Sequence, residues 1–148
     1  ISEAMSDHQT DKAAHQASVP DLLRRAGLRP TRQRLALGAL LFGEGDRHVT
    51  AEQLHAEVAA QGEHVSLATD YNALHQFKKA GLVRELAIDG TKAYFDTNTS
   101  NHSHFLLEST GDLMDIPEDT VQVSGVPEPP KGMRITHVDV VVRLAKID

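Results

Sequence analysis

Cysteine is absent from all 148 residues. That excludes disulfides, thiolate metal sites, iron–sulfur ligation and cysteine nucleophiles. No stretch approaches the roughly 18 apolar residues of a membrane helix, so no spanning segment and no membrane partner are expected. The first residues are polar and carry no apolar signal stretch, and the chain reads as soluble and cytoplasmic. Also missing are a Gly-rich phosphate loop, a Gly-x-Ser-x-Gly elbow and a His-Glu-x-x-His helix, so no enzyme is expected. There is no internal repeat. With 40% hydrophobic and 24% charged residues the composition is that of an ordinary folded protein.

A net positive charge is missing too: 15 basic against 21 acidic side chains give −6. The sum hides an asymmetry. Residues 1–84 carry ten of each sign, while residues 85–148 carry five basic and eleven acidic ones. Five arginines, Arg24, Arg25, Arg29, Arg32 and Arg34, fall within eleven positions of the balanced half. Such a patch can bind phosphates whatever the overall balance. The halves read as two modules.

Residues 1–19 lack apolar periodicity and are expected to form a disordered tail, with 1–4 a possible tag remnant. Residues 20–96 then show helix signals. Pro20-Asp21-Leu22-Leu23 opens a helix that Gly27 stops, while Thr31, Thr50 and Ser66 cap three more, the last running through Leu74 and Phe77 to Gly81. Two strand-like runs, 82–88 and 91–95, flank Asp89-Gly90, a hairpin signal. Helices followed by a hairpin describe a winged helix-turn-helix with its fourth helix in the major groove. A small helical domain with solvated arginines fits the same pattern. Residues 97–148 favour β at 105–108, 112–116 and 135–144, with a short helix at 117–124. About fifty residues make a thin core, so this module is expected to dimerise. Leu106, Val138, Val140 and Val142 would be its sheet or dimer core. The fold class expected is α+β.

Nine histidines are present. His8 and His15 lie in the tail, and His55, His64 and His75 read as surface residues. His48 stands just before a helix. His102 and His104, two apart at a strand start, share a face and can converge on one ion or one haem. Beside Asp96 and Asp115 they make a borderline-to-hard donor set suited to Fe(II), Mn(II) or Zn(II).

The ordered motifs Gly27-Leu28-Arg29-Pro30-Thr31-Arg32-Gln33-Arg34, His48-Val49-Thr50-Ala51-Glu52-Gln53-Leu54 and Ser66-Leu67-Ala68-Thr69-Asp70-Tyr71-Asn72-Ala73-Leu74 resemble the ferric uptake regulator (Fur) family. Asn72, the run Asp89–Asn98 and the lack of CxxC pairs are most similar to its iron response regulator (Irr) branch. The resemblance implies a homodimeric repressor with an N-terminal winged helix and a C-terminal α/β dimerisation domain. It would bind an AT-rich iron-control operator and control iron and haem genes in response to haem or a divalent metal. Carried over by position, an interdomain metal site falls on His48, Asp96, His104 and Asp115, and a haem site on His102 and His104. His137 matches one ligand of a second metal site, but Ser103 stands where relatives have His or Asp. The same family with manganese, zinc or peroxide as its signal is the alternative, as is a metal- or haem-binding protein with impaired DNA binding.

For DNA, Tyr71 and Asn72 are expected to contact bases, Thr69 a phosphate, and Arg29, Arg32 and Arg34 the backbone. Asp70 is the anomaly. It interrupts an apolar stripe of Leu67, Leu74 and Phe77 where relatives carry Val. Its carboxylate is buried at a cost, or faces DNA phosphates that repel it, or is solvated by a rotation of the helix. In the first two cases it lowers stability or DNA affinity.

Overall fold

A computed structural model describes residues 18–89, 92–100, 102–117 and 119–148, without the side chain of residue 89. The expected tail up to residue 17, with His8 and His15, lies outside the described residues, as do Gly90 and Thr91, the middle of the expected hairpin turn. The chain divides into one unit ending at Thr99 and another from Ser100 to Asp148.

The first unit opens with α1 (Val19–Arg25) and α2 (Arg32–Phe42), followed by β1 (His48–Thr50), α3 (Ala51–Ala60) and α4 (Leu67–Lys79). It closes with β2 (Arg84–Asp89) and β3 (Lys92–Asp96). Each expected cap is made by a side-chain oxygen. Thr31 accepts from the Arg34 amide, Thr50 from Gln53 and Ser66 from Thr69, which satisfies amides that a helix start leaves unpaired. Gly27 and Gly81 take positive φ just beyond α1 and α4, the left-handed closure that glycine adopts without strain. Leu23, Leu37, Leu41, Leu54, Leu74, Phe77 and Phe95 are fully enclosed at the centre of this unit.

The strands form an antiparallel sheet in the order β1-β3-β2. The β2–β3 pair is the expected wing. β1 was not expected, because three residues carry too little alternation to announce a strand. Its register sets His48 opposite Asp96 on β3. Arg47, just before it, reaches back to the Leu40 carbonyl and grips Glu57 with both guanidinium nitrogens at 2.9 and 2.8 Å. The arginine donates into that carboxylate, which holds the Glu57 carboxyl below its ordinary value and raises Arg47.

In the second unit β4 (His104–Leu107) lies between antiparallel β5 (Asp112–Asp115) and parallel β6 (Val141–Leu144). Two expectations need correction. No helix forms at 117–124; outside Glu118, which is not described, the segment makes one turn in which Thr120 bonds the Pro117 carbonyl. Asp119 has φ 72° and Gly125 φ 76°, and valines at 121 and 123 follow a period of two, not a helical one. The expected strand 135–144 is cut to its last four residues. β4 is itself four residues long and offers partners only to Val141–Leu144. Leu106 is buried as expected, and Val140 is half-buried. Val138 and Val142 are exposed, so of the two roles foreseen for them only a dimer contact remains.

Candidate metal centre and nucleic-acid interface

Each unit carries its own donor group. In the first, the β1–β3 register brings His48 and Asp96 together, with Nε2 3.3 Å from Oδ2. The other carboxylate oxygen accepts from the Asn98 backbone N–H at 2.9 Å, so the Asp96 side chain is held from behind. Arg47 and Thr97 close the ladder, Arg47 N–H to Thr97 Oγ1 at 2.8 Å and Thr97 N–H to the Arg47 carbonyl at 3.0 Å. Asp96 is almost wholly buried, and a buried carboxylate requires such partners.

In the second unit the register sets His104 opposite Asp115. One oxygen of Asp115, Oδ1, lies 3.2 Å from His102 Nε2 and 3.4 Å from His104 Nε2. The two rings are 4.4 Å apart between centroids. His102 Nδ1 donates to the Ser100 carbonyl at 2.9 Å, which leaves Nε2 as the ligating nitrogen. The ligand atoms of this trio all lie within 4.8 Å of one another. Imidazole and carboxylate donors suit Fe(II), Mn(II) or Zn(II), so both groups fit a divalent ion. His102, a haem ligand by the family resemblance but by its spacing also able to share an ion with His104, lies geometrically with the metal donors. The two-residue spacing that placed it beside His104 was the signal for this role.

His137 is exposed and lines a cleft of about 610 Å3 in the second unit, together with His102, Ser103, Gln122, Val138 and Val140. Among the described residues, Asp119 is the carboxylate that accompanies His137 there. Ser103 and Gln122, which also line the cleft, are weak metal donors.

On α4, Tyr71 and Asn72 are exposed at the front, as a groove-reading helix requires. Thr69 is half-buried and its hydroxyl joins Ser66 Oγ at 2.7 Å, part of the cap. Arg29 is exposed, Arg32 pairs with Glu63 at 3.1 Å, and Arg34 reaches Gln76 at 2.7 Å and the Arg29 carbonyl at 3.0 Å. Arg34 thereby ties α2 to α4. Asp70 is neither solvated nor turned outward. It is 0% exposed, accepting from His55 Nδ1 at 2.8 Å and Gln33 Nε2 at 3.4 Å. His55, expected as a surface residue, is its principal partner, whereas His64 is exposed as expected. Leu67, placed on the inward stripe, is exposed instead.

A winged helix followed by a small three-stranded unit, with histidine and carboxylate donors in both, defines a DNA-binding, metal-binding regulator. The chain belongs to the ferric uptake regulator family, whose model matches residues 25–143. It is 32% identical to the ferric uptake regulation protein of Shigella flexneri over 117 residues, 78% of this chain and 79% of that one. It is 38% identical to the peroxide-responsive repressor PerR of Staphylococcus epidermidis over 93 residues, 63% of this chain and 61% of PerR; the match thus spans less than two thirds of that relative. Its fold matches the ferric uptake regulator of Pseudomonas aeruginosa with manganese, TM-score 0.64 at 27% identity, over 88% and 98% of the chains. It also matches that of Vibrio cholerae, TM-score 0.67 at 25% identity, over 86% and 98%. Proteins of this family are transcription regulators, not enzymes, and no described helix is long and apolar enough to cross a membrane.

Proposed function

We propose that this protein is a repressor of iron-homeostasis genes in which two donor groups, His48 with Asp96 and His102 and His104 with Asp115, bind divalent metal and thereby set its affinity for an AT-rich operator. The observation that carries this reading is the Asp115 oxygen within 3.2 and 3.4 Å of two histidine nitrogens, with one ring already oriented through its other nitrogen. A bound ion would supply charge and fixed geometry to these side chains. On DNA, Tyr71 and Asn72 read bases while Arg29, Arg32 and Arg34, with Thr69, hold the phosphates.

The donor set admits iron, manganese or zinc, and peroxide responsiveness, named for the staphylococcal relative, is an equal candidate for the signal. An Irr-type haem response is a second reading, favoured by the cleft flanked by His102 and His137, whose volume suits an organic ligand. The reading with impaired DNA binding rests on Asp70 being buried at a cost or facing phosphates; the His55 and Gln33 bonds around its buried carboxylate speak against the second.

A mobility-shift titration on an AT-rich operator tests this, run without added ligand and with Mn(II), Fe(II) or haem. Mn(II) or Fe(II) is expected to raise specific affinity tenfold or more, and His104→Ala to abolish that gain. Operator affinity indifferent to every metal, in wild type and variant alike, sinks the reading. Release by haem alone would favour the Irr-type signal.

A further inference from the structure

The exposed tyrosine of α4 rests on two aromatic rings whose role nothing above assigns. Tyr71 and His75 lie one turn apart with ring centroids 4.6 Å from each other. Both meet Phe95 edge-on, each at 6.0 Å, with interplanar angles of 89° and 88°. Phe95 is wholly buried, while Tyr71 remains 37% exposed. The Tyr71 ring is therefore packed against both His75 and Phe95 and still presents part of its surface outward. Edge-to-face contacts of this kind fix a ring's orientation more tightly than an aliphatic neighbour does. A tyrosine has only two side-chain torsions to immobilise, so this packing leaves it little freedom before DNA arrives.

Phe95 also stands next to Asp96 on the central strand of its sheet. Adjacent strand residues face opposite sides. Thus β3 carries a metal-donor carboxylate on one face and the support of Tyr71 on the other, one residue apart.

We infer that His75 and Phe95 are positioning residues for DNA recognition, a seat that holds Tyr71 in its reading orientation and joins it to the strand bearing Asp96. The inference rests on the function proposed above, because it takes Tyr71 to touch bases. Phosphate contacts belong to Arg29, Arg32, Arg34 and Thr69. The seat must therefore act on the discrimination between operator and unrelated DNA and not on general affinity.

The test compares His75→Leu, which keeps bulk without a ring, with His75→Phe, which keeps the ring. Each is titrated on operator and scrambled duplex in the presence of Mn(II), with Co(II) absorption reporting metal affinity independently. His75→Leu is expected to lower operator affinity about fivefold, with scrambled-duplex and Co(II) affinities within twofold of wild type. His75→Phe should restore operator binding. Phe95→Leu should add a second effect, a severalfold smaller Mn(II)-dependent gain. Unchanged operator affinity in His75→Leu, or an equal fall on both duplexes, overturns the seat. So does failure of His75→Phe to rescue. Wild type that does not distinguish the duplexes under any metal sinks the proposed function, and the seat with it.

Discussion

A lone carboxylate on the inward stripe of α4 would cost several kcal/mol, and Asp70 avoids this by recruiting two other helices. His55 comes from α3 and Gln33 from α2, so the anomaly of α4 becomes a polar knot joining three elements. Losing the carboxylate breaks its bonds to the half-buried His55 and Gln33 and leaves a hole at a wholly buried position. Asp70→Ala is therefore expected to cost about 2–3 kcal/mol in urea denaturation. The double variant Asp70→Leu/His55→Leu should recover most of that loss. Equal stability of Asp70→Ala and wild type would contradict the knot. Asp70 was legible as an anomaly because it broke a 3.6-residue period. Its partners, 15 and 37 positions away, were not. No local pattern announces a hydrogen bond between helices, and His55 read as one more polar surface residue for that reason.

Among the elements, those whose ends carry chemistry were the easiest to read. Thr31, Thr50 and Ser66 are small oxygen-bearing residues before apolar periodic runs, and each became the cap it promised. β1 and the truncated β6 were illegible for the opposite reason. Their existence is decided by a partner strand, which supplies hydrogen bonds only where it has residues to offer. The Arg47–Glu57 pair braces this region, linking α3 to the approach of β1 and the end of α2. Because the Glu57 carboxyl is held below its ordinary value, its contribution is fully present above the unfolded-state value and disappears as pH falls through the folded one. Glu57→Gln should thus cost about 1 kcal/mol near neutrality, a deficit that narrows as pH is lowered through the carboxylate range. Urea denaturation at a series of pH values checks the sign. A deficit that grows on acidification would assign the pair a different role.

At the scale of the molecule, the expected partition into a DNA-binding half and an acidic β-rich half rested on charge asymmetry, and the ligand set on family likeness and donor chemistry. What stayed hidden was the degree to which the second unit leaves apolar surface uncovered. Val123, Val126, Met133, Ile135 and Val138 are all more than two fifths exposed in the single chain, while Leu106 and Ile116 are the buried apolar residues described there. Family members are dimers, and a second copy is the natural cover for such a surface. Val138→Asp is expected to shift sedimentation toward the monomer and to weaken operator binding at least tenfold, since two half-sites are then bound independently. A Val138→Asp chain that remained dimeric would place the contact elsewhere.

The central strand of the first sheet has a further consequence, one of parity. Along β3 the odd and even positions serve different masters, an aromatic at 95 and a carboxylate at 96. Sliding the strand by one residue would turn the benzyl ring toward His48 and drive the carboxylate among the rings of α4. Both neighbours, β1 and β2, would have to accept the same slip at once. A single-residue insertion between Tyr94 and Asp96 should accordingly erase ligation and recognition together. Two inserted residues beyond the strand's start would restore the alternation, so this stretch tolerates changes of length only in steps of two.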